Sequence, residues 1–192
     1  MGIFLLARGQ PEGVAAFGKT AKDFNASIAP LIAFPLVGSL LVAIGGQPKL
    51  AAIAFVSRLC MVLAVAAITY EFARLTGREM LWLRTAIALN WSFWIIVPLL
   101  LAAGLCGMIF VSAGMPLTAA ENLLAGVMLA YLLWYHWFTV RSGLQLKILP
   151  AIGLVLLTNT VVALLAIGPD LIDLAIAGHL TDFFDAFQRA PL

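Results

Sequence analysis

Charge is what this sequence has least of. Its 192 residues include 11 Lys or Arg and 9 Asp or Glu, so 10% are charged while 64% are hydrophobic. Average soluble domains are about a quarter charged and about half apolar. Too few polar side chains remain here to cover a water-exposed surface, which excludes an ordinary soluble globule. A mean hydropathy of +1.08 points to lipid as the surrounding solvent. The net charge of +2 and the scatter of the basic residues exclude a phosphate-tracking cluster, so no nucleic-acid partner is expected. Cysteine is equally scarce. Cys60 and Cys106 lie in separate apolar runs with no CxxC and no Cys/His grouping, and are expected to be buried free thiols that do not report a redox compartment.

Catalytic signatures are missing as well. There is no HExxH, no GxSxG and no GxGxxG after a strand. No carboxylate cluster suggests a divalent metal. His136 and His179 fall on opposite sides of the membrane in the topology derived below, which argues against a bis-His haem. The expectation is therefore no cofactor, no metal, no catalytic residue and no enzymatic activity. The apolar stretch Ile3 to Ala7 ends at Arg8 and is too short for a signal-peptide core, so the first span is expected to act as an uncleaved anchor.

What the chain does have is long apolar runs. About 20 residues carry a helix across the hydrocarbon core, and five stretches reach that length. They run from about Ser27 to Ile44, Leu50 to Phe72, Thr85 to Val111, Thr118 to Val140, and Pro150 to Gly168-Pro169. Backbone polar groups in lipid must be satisfied within the segment, so each is expected to be a helix. Gly45-Gly46 with Pro48, Gly77-Arg78, Gly114 with Pro116, and Arg141 with Gly143 mark the breaks. Thr118 with Glu121 three residues on has the pattern of a capping box opening the fourth span. The expected fold is an all-α, polytopic integral membrane helical bundle of five transmembrane helices. It occupies residues 27–168, between a cytoplasmic amphipathic segment at 1–26 and an extracytoplasmic one at 169–192.

Lys and Arg placement gives the orientation. The N-terminal tail, the second-to-third loop and the fourth-to-fifth loop hold eight basic residues: Arg8, Lys19, Lys22, Arg74, Arg78, Arg84, Arg141 and Lys147. The other side holds Lys49 and Arg189. The N-terminus is thus expected in the cytoplasm and the C-terminus outside, in a bacterial inner (cell) membrane. Tyr70, Trp82, Trp91, Trp134, Tyr135 and Trp137 gather near the cytoplasmic ends of the spans, where rings with one polar atom suit the headgroup layer. Val14, Phe17, Ala21 and Phe24 recur at helical spacing, suggesting a short helix lying on that surface. Leu180, Phe183, Phe184 and Phe187 form a similar stripe near the other terminus, suited to the outer leaflet or to a partner protein.

Ionisable groups within spans are costly and are candidates for function. Arg58 stands about 10 Å past the outer end of the second span. Asn159 in the fifth span and Glu121 at the start of the fourth are its expected partners. It reads first as a structural residue that pins helices or snorkels to the headgroups, and second as an anion or substrate contact. Thr158-Asn159-Thr160 reads first as interhelical hydrogen-bonding glue, and second as the lining of a polar path. Tyr70, Glu71, Arg74, Arg84, Asn90, Tyr135, His136 and Arg141 share the cytoplasmic rim. Glu71 and His136 could form a proton-relay pair, although three helix ends at one level would gather such residues without chemistry.

The five-span, N-inside layout resembles the Yip1-like membrane proteins. The run Tyr135-His136-Trp137-Phe138-Thr139-Val140-Arg141-Ser142-Gly143-Leu144, followed by a span with a central Asn159, is similar to their fourth and fifth helices and covers about a quarter of the chain. That resemblance implies a role in membrane organisation or trafficking-type interactions and supplies no catalytic residue. The expected function is that of a non-catalytic membrane protein working through contacts with lipids, other membrane proteins or itself, as an accessory subunit or scaffold. The alternative is a small transporter or channel using Arg58, Asn159 and the Glu71/His136 group.

Overall fold

The computed structural model describes residues 1–188, with side chains through Pro169. Seven α-helices follow one another: α1 (Gly2–Ala7), α2 (Ala21–Ile44), α3 (Pro48–Leu75), α4 (Glu79–Ser92), α5 (Ile96–Ser112), α6 (Leu117–Gly143) and α7 (Ile148–Gln188). A 3-10 turn at Pro11–Ala16 follows α1, and another at Phe93–Ile95 joins α4 to α5. Five stretches are long and apolar enough to cross a bilayer: α2, α3, α4 through α5, α6, and α7 as far as Pro169. The chain is a polytopic all-α membrane protein with five spans, the architecture that hydrocarbon permits because each helix bonds its own backbone.

The helix ends follow from local chemistry, in some places differently from expectation. α2 starts at Ala21, six residues before Ser27, because Thr20 and Asp23 cap it reciprocally. The Thr20 N–H donates to Asp23 Oδ2 at 3.1 Å and the Asp23 N–H donates to Thr20 Oγ1 at 3.2 Å. The capping box expected at Thr118 and Glu121 does not form. α6 begins one residue earlier, after Pro116, with no side-chain cap. Gly46, Gly77 and Gly114 close α2, α3 and α5 with φ of +89°, +69° and +93°, a conformation costly for any residue with a Cβ. Pro98 has no N–H to offer Trp94 four residues earlier, and the backbone tightens into the 3-10 turn over Phe93–Ile95.

α7 does not stop at Pro169; the proline lies inside the helix. Gly168 precedes it and has no Cβ to clash with the proline ring, which removes part of the usual penalty. The stripe of Leu180, Phe183, Phe184 and Phe187, with His179 beside it, lies outside the described side chains.

The N-terminal stretch is not one surface helix. Val14 sits in the 3-10 turn, Phe17 is extended at φ −92°, ψ 148°, and Phe24 belongs to α2. The segment folds back on itself. A Cβ at Gly2 would lie 2.8 Å from the Gly13 carbonyl oxygen, and one at Gly13 would lie 2.8 Å from that of Gly2, so only glycines allow this approach. Leu6 and Val14 are buried against Ala88, Ile95 and Tyr135 of α4, the second 3-10 turn and α6.

The chain divides into two compact units. The first joins Met1–Leu31 to Ala66–Leu157. It contains both hydrophobic clusters: the one around the N-terminal segment, and a second built on Ala73, Val140, Leu144, Ala151, Leu154 and Val155. The other unit joins Ile32–Val65 to α7 from Thr158 onward. Its described apolar side chains are largely exposed, Phe34, Leu40, Leu41, Ile44 and Val56 among them. In a membrane span such faces meet lipid.

Candidate functional site

The polar side chains of the first unit gather around α4. Asn90 Nδ2 donates to Ser27 Oγ of α2 at 2.9 Å, and that hydroxyl donates to the Phe24 carbonyl at 2.7 Å. Both Asn90 and Ser27 are buried. One helical stretch earlier, Trp82 Nε1 donates to Thr69 Oγ1 of α3 at 3.2 Å, and Thr69 Oγ1 donates to the Ala66 carbonyl. The Trp82 indole also meets Tyr70 edge-on, with centroids 5.0 Å apart, and Phe24 at 5.5 Å. α4 thus bonds α2 through Asn90 and α3 through Trp82. These are side-chain bonds between helices, of the kind that hold membrane bundles together.

The loop ends are tied in the same way. Tyr70 Oη donates to Glu79 Oε1 at 2.7 Å, bracing α3 against the start of α4. Arg78 donates to the carbonyls of Leu144 and Gln145, at 2.7 Å for Leu144. Gln145 holds a left-handed φ of 52°, and the Leu146 N–H donates to the Arg141 carbonyl at 3.0 Å. This is a helix-ending turn whose bare carbonyls receive a guanidinium from another loop. Tyr131 Oη donates to the Ala7 carbonyl at 2.9 Å and Tyr135 Oη to that of Ile3 at 3.3 Å, fixing α1 to α6.

The residues singled out from the sequence separate. Asn90 is a helix-to-helix linker. Glu71 accepts two hydrogen bonds from Arg74, at 2.9 Å from Nε and 2.6 Å from Nη2, in an exposed i, i+3 pair on α3. Glu71 is thus engaged by a neighbour on its own helix, and His136 on α6 is half-buried. Arg58 is exposed ten residues into α3, with no ion pair or hydrogen bond among the described residues. The expected bond to Asn159, in the same unit, is not formed. Glu121 is exposed, Asn159 is half-buried, and Thr158 beside it is 1% exposed. Cys60 and Cys106 are free thiols, as expected, but both are exposed on α3 and α5 rather than buried.

Sequence reasoning missed Ser27, Thr69 and Gly143. Ser27 and Thr69 are single hydroxyls in apolar runs, and nothing local marks them as acceptors for side chains 63 and 13 residues away. Gly143 permits a close approach of α6 to α4, as a Cβ there would stand 2.5 Å from Thr85 Oγ1. Among the described residues no group of three or more His, Cys, Asp or Glu could hold a metal ion. These features define a multi-span helical membrane protein with its polar side chains concentrated at helix junctions. No family model, curated protein or solved structure matches the chain.

Proposed function

We propose that this protein is a non-catalytic component of a bacterial inner membrane, with its N-terminus in the cytoplasm and its C-terminus outside, acting through contacts with lipids and other membrane proteins. One contrast carries the reading. Asn90, Trp82, Tyr131 and Tyr135 are engaged in bonds that hold the chain's own helices. Yet only 6% of the most apolar window of α2, of α3 and of the α4–α5 span is buried. These four polar side chains are committed to architecture, and wide apolar faces are left to the surroundings. An accessory subunit or a membrane-organising scaffold fits both halves of the contrast. The likeness of Tyr135 to Leu144 to Yip1-like proteins supports the same role.

Extraction in a mild detergent or in native nanodiscs, followed by identification of retained proteins and lipids, tests the reading. The expected result is a reproducible partner protein or an enriched lipid class. A chain recovered as a bare monomer with neither would overturn it. A second reading, a small transporter or channel, is favoured by one observation, the uncommitted Arg58 about 15 Å into α3. Flux through proteoliposomes separates the two.

A further inference from the structure

A recess of about 350 Å³ lies where α6 ends and α7 begins. It is lined by Pro11 of the first 3-10 turn, Phe138, Arg141 and Ser142 of the last turns of α6, and Gln145 and Leu146 of the connecting turn. Pro11, Phe138 and Leu146 make an apolar wall, while Arg141, Ser142 and Gln145 supply hydrogen-bonding groups. α6 has 27 residues, or about 40 Å of helix, against a hydrocarbon core of about 30 Å. Its terminal turns therefore reach the headgroup layer, the level that Trp134 and Trp137 also mark.

Arg141 is the charge in this recess, and it is poised for a ligand. Its guanidinium lies 5.2 Å from the Trp137 ring centroid, a cation–π stack that restricts the side chain. No carboxylate pairs with it among the described residues, where the ion pair formed is Arg74 with Glu71. The recess adjoins a helix C-terminus, whose bare carbonyls would ordinarily repel an anion. Here Arg78 donates to the Leu144 and Gln145 carbonyls and offsets that field. Arg141 is thus left free to act outward. A planar guanidinium offers paired donors that match phosphate oxygens. Ser142 and Gln145 add donors to the same recess, and its apolar residues suit the start of an acyl chain.

We propose that this recess binds a phosphate-bearing anion, with an anionic phospholipid headgroup as the source best matched to its half-apolar lining. The proposal rests on the reading that the protein works partly through lipid contacts, and it assigns one such contact to Arg141.

The test is thermal unfolding of the purified full chain in neutral detergent. Phosphatidylglycerol, phosphatidylcholine and inorganic phosphate are titrated separately. Phosphatidylglycerol is expected to stabilise the wild-type chain more than phosphatidylcholine. Arg141→Gln should weaken its apparent affinity by about tenfold, the loss of one charge-assisted contact. Gln145→Asp places a carboxylate in the recess at a position whose backbone tolerates it, and should weaken binding similarly if Arg141→Gln fails to fold. Arg141→Lys should retain part of the effect. Stabilisation by inorganic phosphate that Arg141→Gln and Gln145→Asp lose would keep the anion site and assign it a soluble ligand. Equal responses of wild type, Arg141→Gln and Gln145→Asp to every additive would overturn the proposal. A partner protein recovered alongside that negative result would leave the broader functional reading intact.

Discussion

A Cβ added at Gly143 would lie 2.5 Å from Thr85 Oγ1, 2.6 Å from Cγ2 and 2.9 Å from Cβ. Thr85 is fully buried and its hydroxyl already donates to the Leu81 carbonyl at 2.8 Å, so it has little freedom to move aside. Gly143→Ala should therefore push α6 away from α4 and destabilise the protein by roughly 1–3 kcal/mol, the usual scale of overpacking. Thr85→Gly removes all three opposing atoms. Added to Gly143→Ala, it should recover part of the loss. Reversible unfolding in detergent would read both, and additive penalties would show that the two positions do not meet. The sequence displays Gly143 as a helix end after Arg141, which it is. Its second role as a contact point depends on a residue 58 positions earlier, and no local pattern can carry that.

Among the elements, the N-terminal segment departs furthest from expectation. The spacing of Val14, Phe17, Ala21 and Phe24 is the same whether the segment lies on lipid or packs against protein. Pro11 and Gly18 were the local signs against a continuous helix, since both interrupt the pattern. The docked arrangement leaves Leu6 0% exposed. Leu6→Ala should then cost about 2–5 kcal/mol of stability, as for other buried leucines. A segment resting on the membrane surface would lose next to nothing, and an unchanged unfolding transition would show that it undocks. The α4–α5 span shows the opposite case. Pro98 is a local signal in the sequence, and the 3-10 turn begins five residues before it, around the Trp94 carbonyl the proline cannot bond.

For the whole molecule, the question is how a chain with so few charges uses the one deepest in a span. An arginine near the middle of a membrane helix costs about 2.5–3.5 kcal/mol on insertion scales. Arg58 has no ion pair among the described residues to offset that cost. Arg58→Leu should accordingly insert and fold as well as the parent chain or better, measured by the folded yield from membranes and the unfolding temperature. If the parent chain shows solute flux in liposomes and well-folded Arg58→Leu abolishes it, the transporter reading takes precedence over the contact reading. Severe destabilisation would instead show that the arginine has a structural partner.

Hydropathy along the chain determined the solvent, the number of spans and most of their ends. It can do so because crossing a bilayer is a local requirement, about 20 apolar residues with their backbone bonded within the helix. Gly46, Gly77 and Gly114 closed helices where expected because left-handed φ is also a local demand. Only the tertiary structure decided that Asn90 meets Ser27, that Trp82 meets Thr69 and that the N-terminal segment is packed inward. Each depends on which faces of separate helices come together. In lipid that choice is made by close packing and single hydrogen bonds worth about 1 kcal/mol, which leave no periodic mark in the sequence.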